Sequence, residues 1–307
     1  MANSMRTKKR IKNGLIYILL RLLFAFIGTI NRRIAFSIFE ALGLTAYCLA
    51  GKLRKRTFKQ LKRVFGNQSS DAQIRKMARE VFLNLARNTV DAIRLRKYSP
   101  QTIERLVRAN GLEKIDRLLK NGKGLLLLTG HIGNWELLAA YMAHKGYPLH
   151  VIAAPLYDSR LDKMLVENRQ HFGARVIARG ASATRKILQA LRKNEIIGIL
   201  IDQDSKTYEG VFVDFMGKEA VTPAGPVFLA MKTNTPLIPF AIHIEKDYRH
   251  VVDIGDEIQL EMSGDPKRDL ETNAQRCSKA VEQLILRHPT QWIWVHNRWK
   301  TKRKDIP

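Results

Sequence analysis

Gly124-Leu-Leu-Leu-Leu-Thr-Gly-His-Ile-Gly-Asn-Trp-Glu136 is the stretch whose reading decides the fold. Its apolar run, Leu125 to Leu128, reads as a short buried strand. Gly130, Gly133 and Asn134 then supply turn residues, and the apolar-rich pattern from Trp135 to Ala143 reads as a helix with Asn134 at its N-cap. A strand, a tight turn and a helix in that order make an elbow. His131 sits on the turn and Glu136 in the first helical turn. On one continuous helix, residues five apart point away from each other, because each step turns about 100°. The elbow removes that obstacle and lets Glu136 reach back toward the imidazole. A carboxylate on one ring nitrogen fixes the tautomer and leaves the other nitrogen free as a general base.

Spacing alone leaves this pair ambiguous, because a histidine in a turn is often a solvated or capping residue. Its position adds weight: open α/β sheets place their sites at the carboxyl ends of parallel strands. No Ser or Cys stands at the elbow and the G-x-S-x-G pattern is absent, so a covalent acyl-enzyme has no obvious carrier. A base without a nucleophile suits direct transfer to an acceptor hydroxyl.

Gly-His-Ile-Gly-Asn-Trp-Glu (130–136) resembles the H-x4-D/E block of the glycerolipid-type acyltransferases, and more narrowly the late acyltransferases of lipid A biosynthesis. Further matches run along most of the chain: Arg-Lys-Arg-Thr-Phe-Lys-Gln-Leu-Lys-Arg-Val-Phe (54–65), Glu-Asn-Arg (167–169), Asp-Gln-Asp (202–204), Val-Phe-Val-Asp-Phe-Met-Gly (211–217) leading to Thr222-Pro-Ala-Gly225, and Trp-Val-His-Asn-Arg-Trp-Lys (294–300). Each is modest alone; their order and spacing together are specific. The resemblance implies an α/β fold with a mostly parallel central sheet flanked by helices. It implies transfer of a fatty acyl chain from an acyl thioester, acyl carrier protein as the usual donor, to a hydroxyl of a lipid A precursor, with no metal and no cofactor. The alternative is another glycolipid or a lysophospholipid as acceptor, with acyl-CoA as donor.

Composition agrees with an anionic partner. The chain has 307 residues, 45% of them apolar, and a formal charge of +25. Such a balance attracts nucleic acid, anionic lipid or an acidic protein. The apolar amino end and the lack of a nucleic-acid motif argue against the first. Basic residues cluster at Arg6–Lys12, Lys52–Arg63 and Arg298–Lys304; the plain alternative is that these are solvated faces. Cys48 and Cys277 make no disulfide framework and no metal-ligand cluster.

From Gly14 to Ile30 the chain is strongly apolar, slightly short of the roughly 20 residues a spanning helix needs, and interrupted by Arg21. Both flanks are basic, which disfavours a crossing. This segment and Ile34–Ala50 are expected to lie in or on the cytoplasmic face of the inner membrane, with one true span at 14–30 as the competing reading. The expected organisation is therefore residues 1–66 as membrane-anchoring helices and 67–307 as the α/β acyltransferase domain.

Within that domain, Ser70 with Gln73 is a capping-box pattern, Ser99-Pro100 starts a short helix, and strands are expected near Leu149–Ala154, Val176, Ile196–Ile201, Pro236–Ile244 and Val251–Ile254. Thr222-Pro-Ala-Gly is expected to open the helix that runs to Lys232, with Pro223 at its first position. Leu270 to Leu286 reads as an amphipathic helix. Trp292, Trp294 and Trp299, around His296 and Arg298, suit a membrane interface.

His131 and Glu136 are the candidate catalytic pair. By the resemblance, Arg169 meets an acceptor phosphate. Asp202 and Asp204 order the site or contact the headgroup, and Thr222 with nearby N–H groups holds a phosphate or the developing oxyanion. Asn134, Gly217 and Arg298 complete the candidate substrate-binding set. A metal hydrolase using His131, Asp202 and Asp204 is the rival chemistry.

Overall fold

The computed structural model describes residues 2–156, 158–204 and 210–305; the side chains of residues 2–12, 15, 16 and 304, including those of the basic Arg6–Lys12 cluster, lie outside the described residues. Helices come first: α1 (Ala2–Thr29), α2 (Arg32–Leu49), α3 (Gly51–Phe65), α4 (Asp71–Arg94) and α5 (Pro100–Leu106). Strands and helices then alternate as β1 (Val107–Asn110), α6 (Leu112–Leu119), β2 (Leu125–Thr129), α7 (Trp135–His144), β3 (Leu149–Ala153), α8 (Ser159–Gln170), β4 (Arg175–Ala178), α9 (Ala183–Arg192) and β5 (Ile196–Leu200). A hairpin, β6 (Gly210–Phe215) and β7 (Lys218–Pro223), precedes α10 (Gly225–Thr233), β8 (Leu237–Ile244), β9 (His250–Ile254) and α11 (Pro266–Arg287).

Seven strands form one sheet in the order β1-β9-β8-β2-β5-β3-β4, parallel throughout except for the β8–β9 pair. The expected α/β fold with a mostly parallel sheet is therefore what the chain adopts. Its centre is β2, all of whose residues are buried. Side chains alternate across a strand, so Leu126 and Leu128 pack on one side with Ile197, Ile199 and α4, while Leu125 and Leu127 pack on the other with Ile196, Leu137 and Leu138. A strand covered on both faces reads as an unbroken apolar run, which is why Leu125–Leu128 carries no polar alternation.

Local signals hold where the chemistry is short-range. Both bonds of the Ser70–Gln73 capping box form, and Ser99 caps α5 through Thr102 N–H. Thr222 departs from expectation: it lies in β7, and α10 begins two residues after Pro223 with Pro226 in its first turn. The hairpin captures this segment, pairing Val211 with Thr222 and Phe212 with Val221 around a tight turn in which Met216 and Gly217 have φ of 54° and 73°.

The tryptophans also depart from expectation. Trp292, Trp294 and Trp299 are buried, pack on one another and on Phe215, and belong to the main core rather than to a membrane-facing tail. Nor does packing thin out at residue 66. Leu61 of α3 joins the same core, and Gln60 donates to the carbonyls of Trp294 and His296 while accepting from Arg298 N–H. α1 and α2 form a smaller cluster in which Ile27, Phe36 and Phe39 meet Val90 and Ile93 of α4. Their outer faces expose Ile18, Leu19, Leu22, Phe26, Ile34, Leu42 and Leu49. Among the described residues no single helix is long and apolar enough to cross a membrane; α2 and α3, bent by 89°, pass that test only as a pair.

Candidate active site

Strand register assembles the site. Thr129, the last residue of β2, pairs with Leu200, the last of β5, and Ile201 N–H donates to Thr129 O at 3.0 Å. Two residues further along each strand stand His131 and Asp202. They meet: Asp202 Oδ1 is 2.8 Å from His131 Nδ1, and Asp202 Oδ2 accepts from the His131 N–H at 2.7 Å. Trp292 Nε1 donates to the same Oδ2 at 2.6 Å. Asp202 is fully buried, whereas the His131 side chain keeps 21% exposure. Burial pushes the Asp202 carboxyl up, but the facing imidazole of His131 and the donors from His131 and Trp292 outweigh it and hold the carboxyl below its usual range.

Glycines let the turn come this close. A Cβ at Gly130 would lie 3.0 Å from Asp202 Oδ2, and one at Gly133, where φ is +56°, would strike Ile242 O at 2.1 Å. From the other side, Gln291 O accepts from Gly133 N–H while the Gln291 side chain bridges Ile244 N–H and O. The segment leading to Trp292 thus clamps the elbow. The Trp135 ring meets the imidazole edge-on at 4.9 Å, and the Gln203 carboxamide lies 3.3 Å from Nε2.

Glu136 does not take the role expected from its spacing. Both of its oxygens accept from Arg169, at 2.8 and 2.6 Å, in a bidentate pair that is largely buried. The physical reason lies in the elbow: α7 leaves the turn with Glu136 facing α8, while the register of β2 and β5 presents Asp202 to Nδ1. Arg169 is correspondingly engaged by a protein carboxylate rather than open as a phosphate fork.

Other expected contacts turn inward as well. Asn134 is buried; its Oδ1 accepts from Leu137 N–H and its Nδ2 donates to Asn88 O, so it builds the elbow. Asp204 accepts from Thr301 N–H and Oγ1 at 2.9 and 2.8 Å, and its own N–H donates to His296 Nε2 at 3.3 Å. Burial keeps the His296 imidazole below its ordinary pKa, consistent with a nitrogen that accepts. With Asp204 turned to Thr301, His131, Asp202 and Asp204 do not form a three-ligand group among the described residues. Arg298 is buried, donates to Val221 O and Thr222 Oγ1, and lies 4.7 Å over the Phe215 ring. Burial pushes this guanidinium down to about 10. Thr222 and Arg298 therefore brace the hairpin against the carboxyl-terminal segment. Gly217 serves the hairpin turn, its N–H donating to Asp214.

Two concavities stand out among the described residues. A narrow one runs between α7 and the sheet, with Trp135, Glu136 and Arg169 among its lining and Leu138, Leu149, Val151 and Phe240 giving it apolar walls; Gly198 leaves it room. A wider, open groove is lined by Phe58, Lys59, Lys62, Arg63, Lys218, Glu219, Trp299 and Lys302.

Sequence comparison points to one family. The family described as bacterial lipid A biosynthesis acyltransferase matches residues 5–301. A lipid A biosynthesis lauroyltransferase of Escherichia coli is 26% identical over 276 residues, covering 85% of this chain and 86% of that protein. A phosphatidylinositol mannoside acyltransferase of Mycobacterium tuberculosis is also 26% identical, over 193 residues, 62% of this chain and 58% of its own length. A Haemophilus influenzae lipid A biosynthesis acyltransferase is 27% identical over 217 residues, 70% of this chain and 64% of that one.

Proposed function

Because the chain belongs to the bacterial lipid A biosynthesis acyltransferase family, we propose that it transfers a fatty acyl chain from an acyl thioester to a hydroxyl of a phosphorylated glycolipid of the lipid A type, with His131 as general base and Asp202 as its partner. One observation carries this reading: Nδ1 of His131 is held by a buried carboxylate, while the side chain keeps 21% exposure and its Nε2 lies 3.3 Å from the Gln203 carboxamide. The acceptor O–H gives its proton to Nε2 as the oxygen attacks the thioester carbonyl. The tetrahedral oxyanion collapses, the C–S bond breaks, and the imidazolium returns the proton to the departing thiolate. Asp202 fixes the tautomer and stabilises the imidazolium. The Gln203 carboxamide, already beside Nε2, is a donor available to the oxyanion. No covalent acyl-enzyme is required.

We assign the acyl chain to the narrow cavity beneath α7, which must widen to admit it and where depth would set length at about 0.8 kcal/mol per buried methylene. Acyl carrier protein is the donor this reading favours; an acidic carrier would find complementary charge in the open groove of Lys59, Lys62, Arg63, Lys218 and Lys302. Acyl-CoA is the alternative donor. The apolar outer faces of α1 and α2, next to basic α3, suit attachment to the cytoplasmic face of the inner membrane. A second reading keeps the chemistry but moves the acceptor to another glycolipid. Its support is that a phosphatidylinositol mannoside acyltransferase matches at the same identity as a lauroyltransferase.

The test is transfer from labelled acyl carrier protein, and separately from acyl-CoA, to a lipid A precursor, a phosphatidylinositol mannoside and a lysophospholipid, with wild type, His131→Ala and Asp202→Asn. Transfer to the lipid A precursor that both variants lose is the expected result. Transfer confined to another acceptor selects the second reading, and a folded His131→Ala protein with near-wild-type turnover would overturn the mechanism.

A further inference from the structure

We propose that His243, Asp253 and His288 form a binding site for a divalent transition-metal ion of the zinc class. The sequence hides this cluster, because its members come from β8, β9 and the residue that caps α11. Antiparallel register sets Ala241 opposite Asp253, so His243 and Asp253 are diagonal neighbours on one face. One ligand atom from each of the three residues lies within 4.8 Å of the others, and all three side chains are half-buried.

Distances suit coordination as well as a hydrogen bond. His243 Nδ1 and Asp253 Oδ2 are 3.2 Å apart, at the long limit for such a bond. Two ligands about 2.0–2.1 Å from a tetrahedral zinc ion stand roughly 3.3 Å from each other. Asp253 is also oriented from behind, since its other oxygen accepts from Asn110 Nδ2 at 3.1 Å. A second residue that steers a ligating carboxylate is the usual support of a metal site.

The imidazoles of His243 and His288 lie face to face, 3.6 Å between centroids and 14° between planes. Two protonated rings would repel there. Free-base imidazole is the form that binds metal. Capture requires the rings to turn about their soft Cβ–Cγ bonds so that their lone pairs converge. Two nitrogens and one oxygen select zinc, nickel or cobalt over calcium and magnesium, which take oxygen shells. Three protein ligands leave a fourth position for water.

An ion here would act on the site's architecture. His288 is followed directly by the segment whose Gln291 O holds the Gly133 N–H and whose Trp292 holds Asp202. Coordination would cross-link that segment to β8 and β9.

Binding is tested on the purified full chain after treatment with chelator, by Co(II) titration read through the visible ligand-field bands of the ion and by the shift of Tm with Zn(II). The expected result is saturable one-to-one binding that His131→Ala retains and His288→Ala loses. Asn110→Ala should weaken it about 10–100-fold. Asp253→Asn keeps the size of the side chain and should lose both the bands and the Tm shift, which covers the case of a poorly folded His288→Ala. Equal Co(II) uptake by wild type, His288→Ala and Asp253→Asn, or no ligand-field bands in wild type, would overturn the proposal.

Discussion

Among the described residues, two histidine–aspartate pairs have the same separation but different surroundings. His131 and Asp202 are 2.8 Å apart, as are His250 and Asp91. Around Asp91 everything is closed: Arg32 donates to both oxygens, Tyr98 O–H donates to one of them, and His250 and Asp91 have no exposure. That pair pins α2 and β9 to α4. Asp202 is equally buried, but the side chain of His131 keeps 21% exposure where that of His250 has none. The difference teaches that a buried carboxylate on an imidazole is a general device, and that solvent access to the ring separates a candidate base from a brace.

The largest effect should fall on turnover. Removing the first pair, by His131→Ala or Asp202→Asn, is expected to lower kcat/KM by roughly 10²–10⁴-fold with the fold retained; steady-state kinetics beside circular dichroism check this, and a loss under tenfold would erase the distinction. Removing the second pair should act on stability instead. Asp91→Ala leaves Arg32 and His250 buried without their counter-charge and is expected to cost about 3–5 kcal/mol in urea unfolding, while activity per folded molecule stays within a few-fold.

Acid should expose the same asymmetry. Burial raises the Asp91 carboxyl, but Arg32 and His250 hold it well below the ordinary range. A depressed carboxylate contributes its stability above the unfolded pKa of about 3.9 and loses it as pH falls toward the folded value. The urea midpoint of wild type should therefore decline below about pH 4, with a shallower decline in Asp91→Ala.

Smaller effects probe the surroundings of the first pair. Glu136→Gln and Arg169→Gln should be non-additive, with a coupling of about 0.5–3 kcal/mol in a double-mutant cycle; strict additivity would deny that they act as one unit. Gly198→Ala projects a methyl toward Leu149 Cδ1 at 3.4 Å. Under the proposed cavity assignment, acyl preference shortens by about one methylene, a selectivity change of roughly fourfold at 0.8 kcal/mol, read from competition between donors of adjacent chain length.

The elbow was legible because its determinants are local: an apolar run, turn glycines and an Asn cap within thirteen residues. The Asp-Gln-Asp at the end of β5 was visible too, but Asp202 was joined to His131 only in the rival metal reading. His131 and Asp202 are joined by the alignment of β2 with β5, and sheet order is a property of the whole fold. Knowing that order, counting two residues past each strand end would have found the pair. Glu136 misled because proximity in sequence stood in for direction in space. Trp292 and Arg298 misled because their types favour interfaces, whereas here a buried carboxylate and a hairpin carbonyl supply their partners.

The clamp on the elbow has a consequence in time. Asp202 takes one of its hydrogen bonds from Trp292, and Gly133 donates to Gln291, so Gln291 and Trp292 complete a site begun at residue 130. During synthesis the sheet strands from β2 to β5 emerge long before this clamp. A ribosome-held chain stopped short of Gln291 would carry His131 and Asp202 without the grip that sets their geometry. Competence then arrives only after Trp292 has been made, rather than growing in step with the sheet.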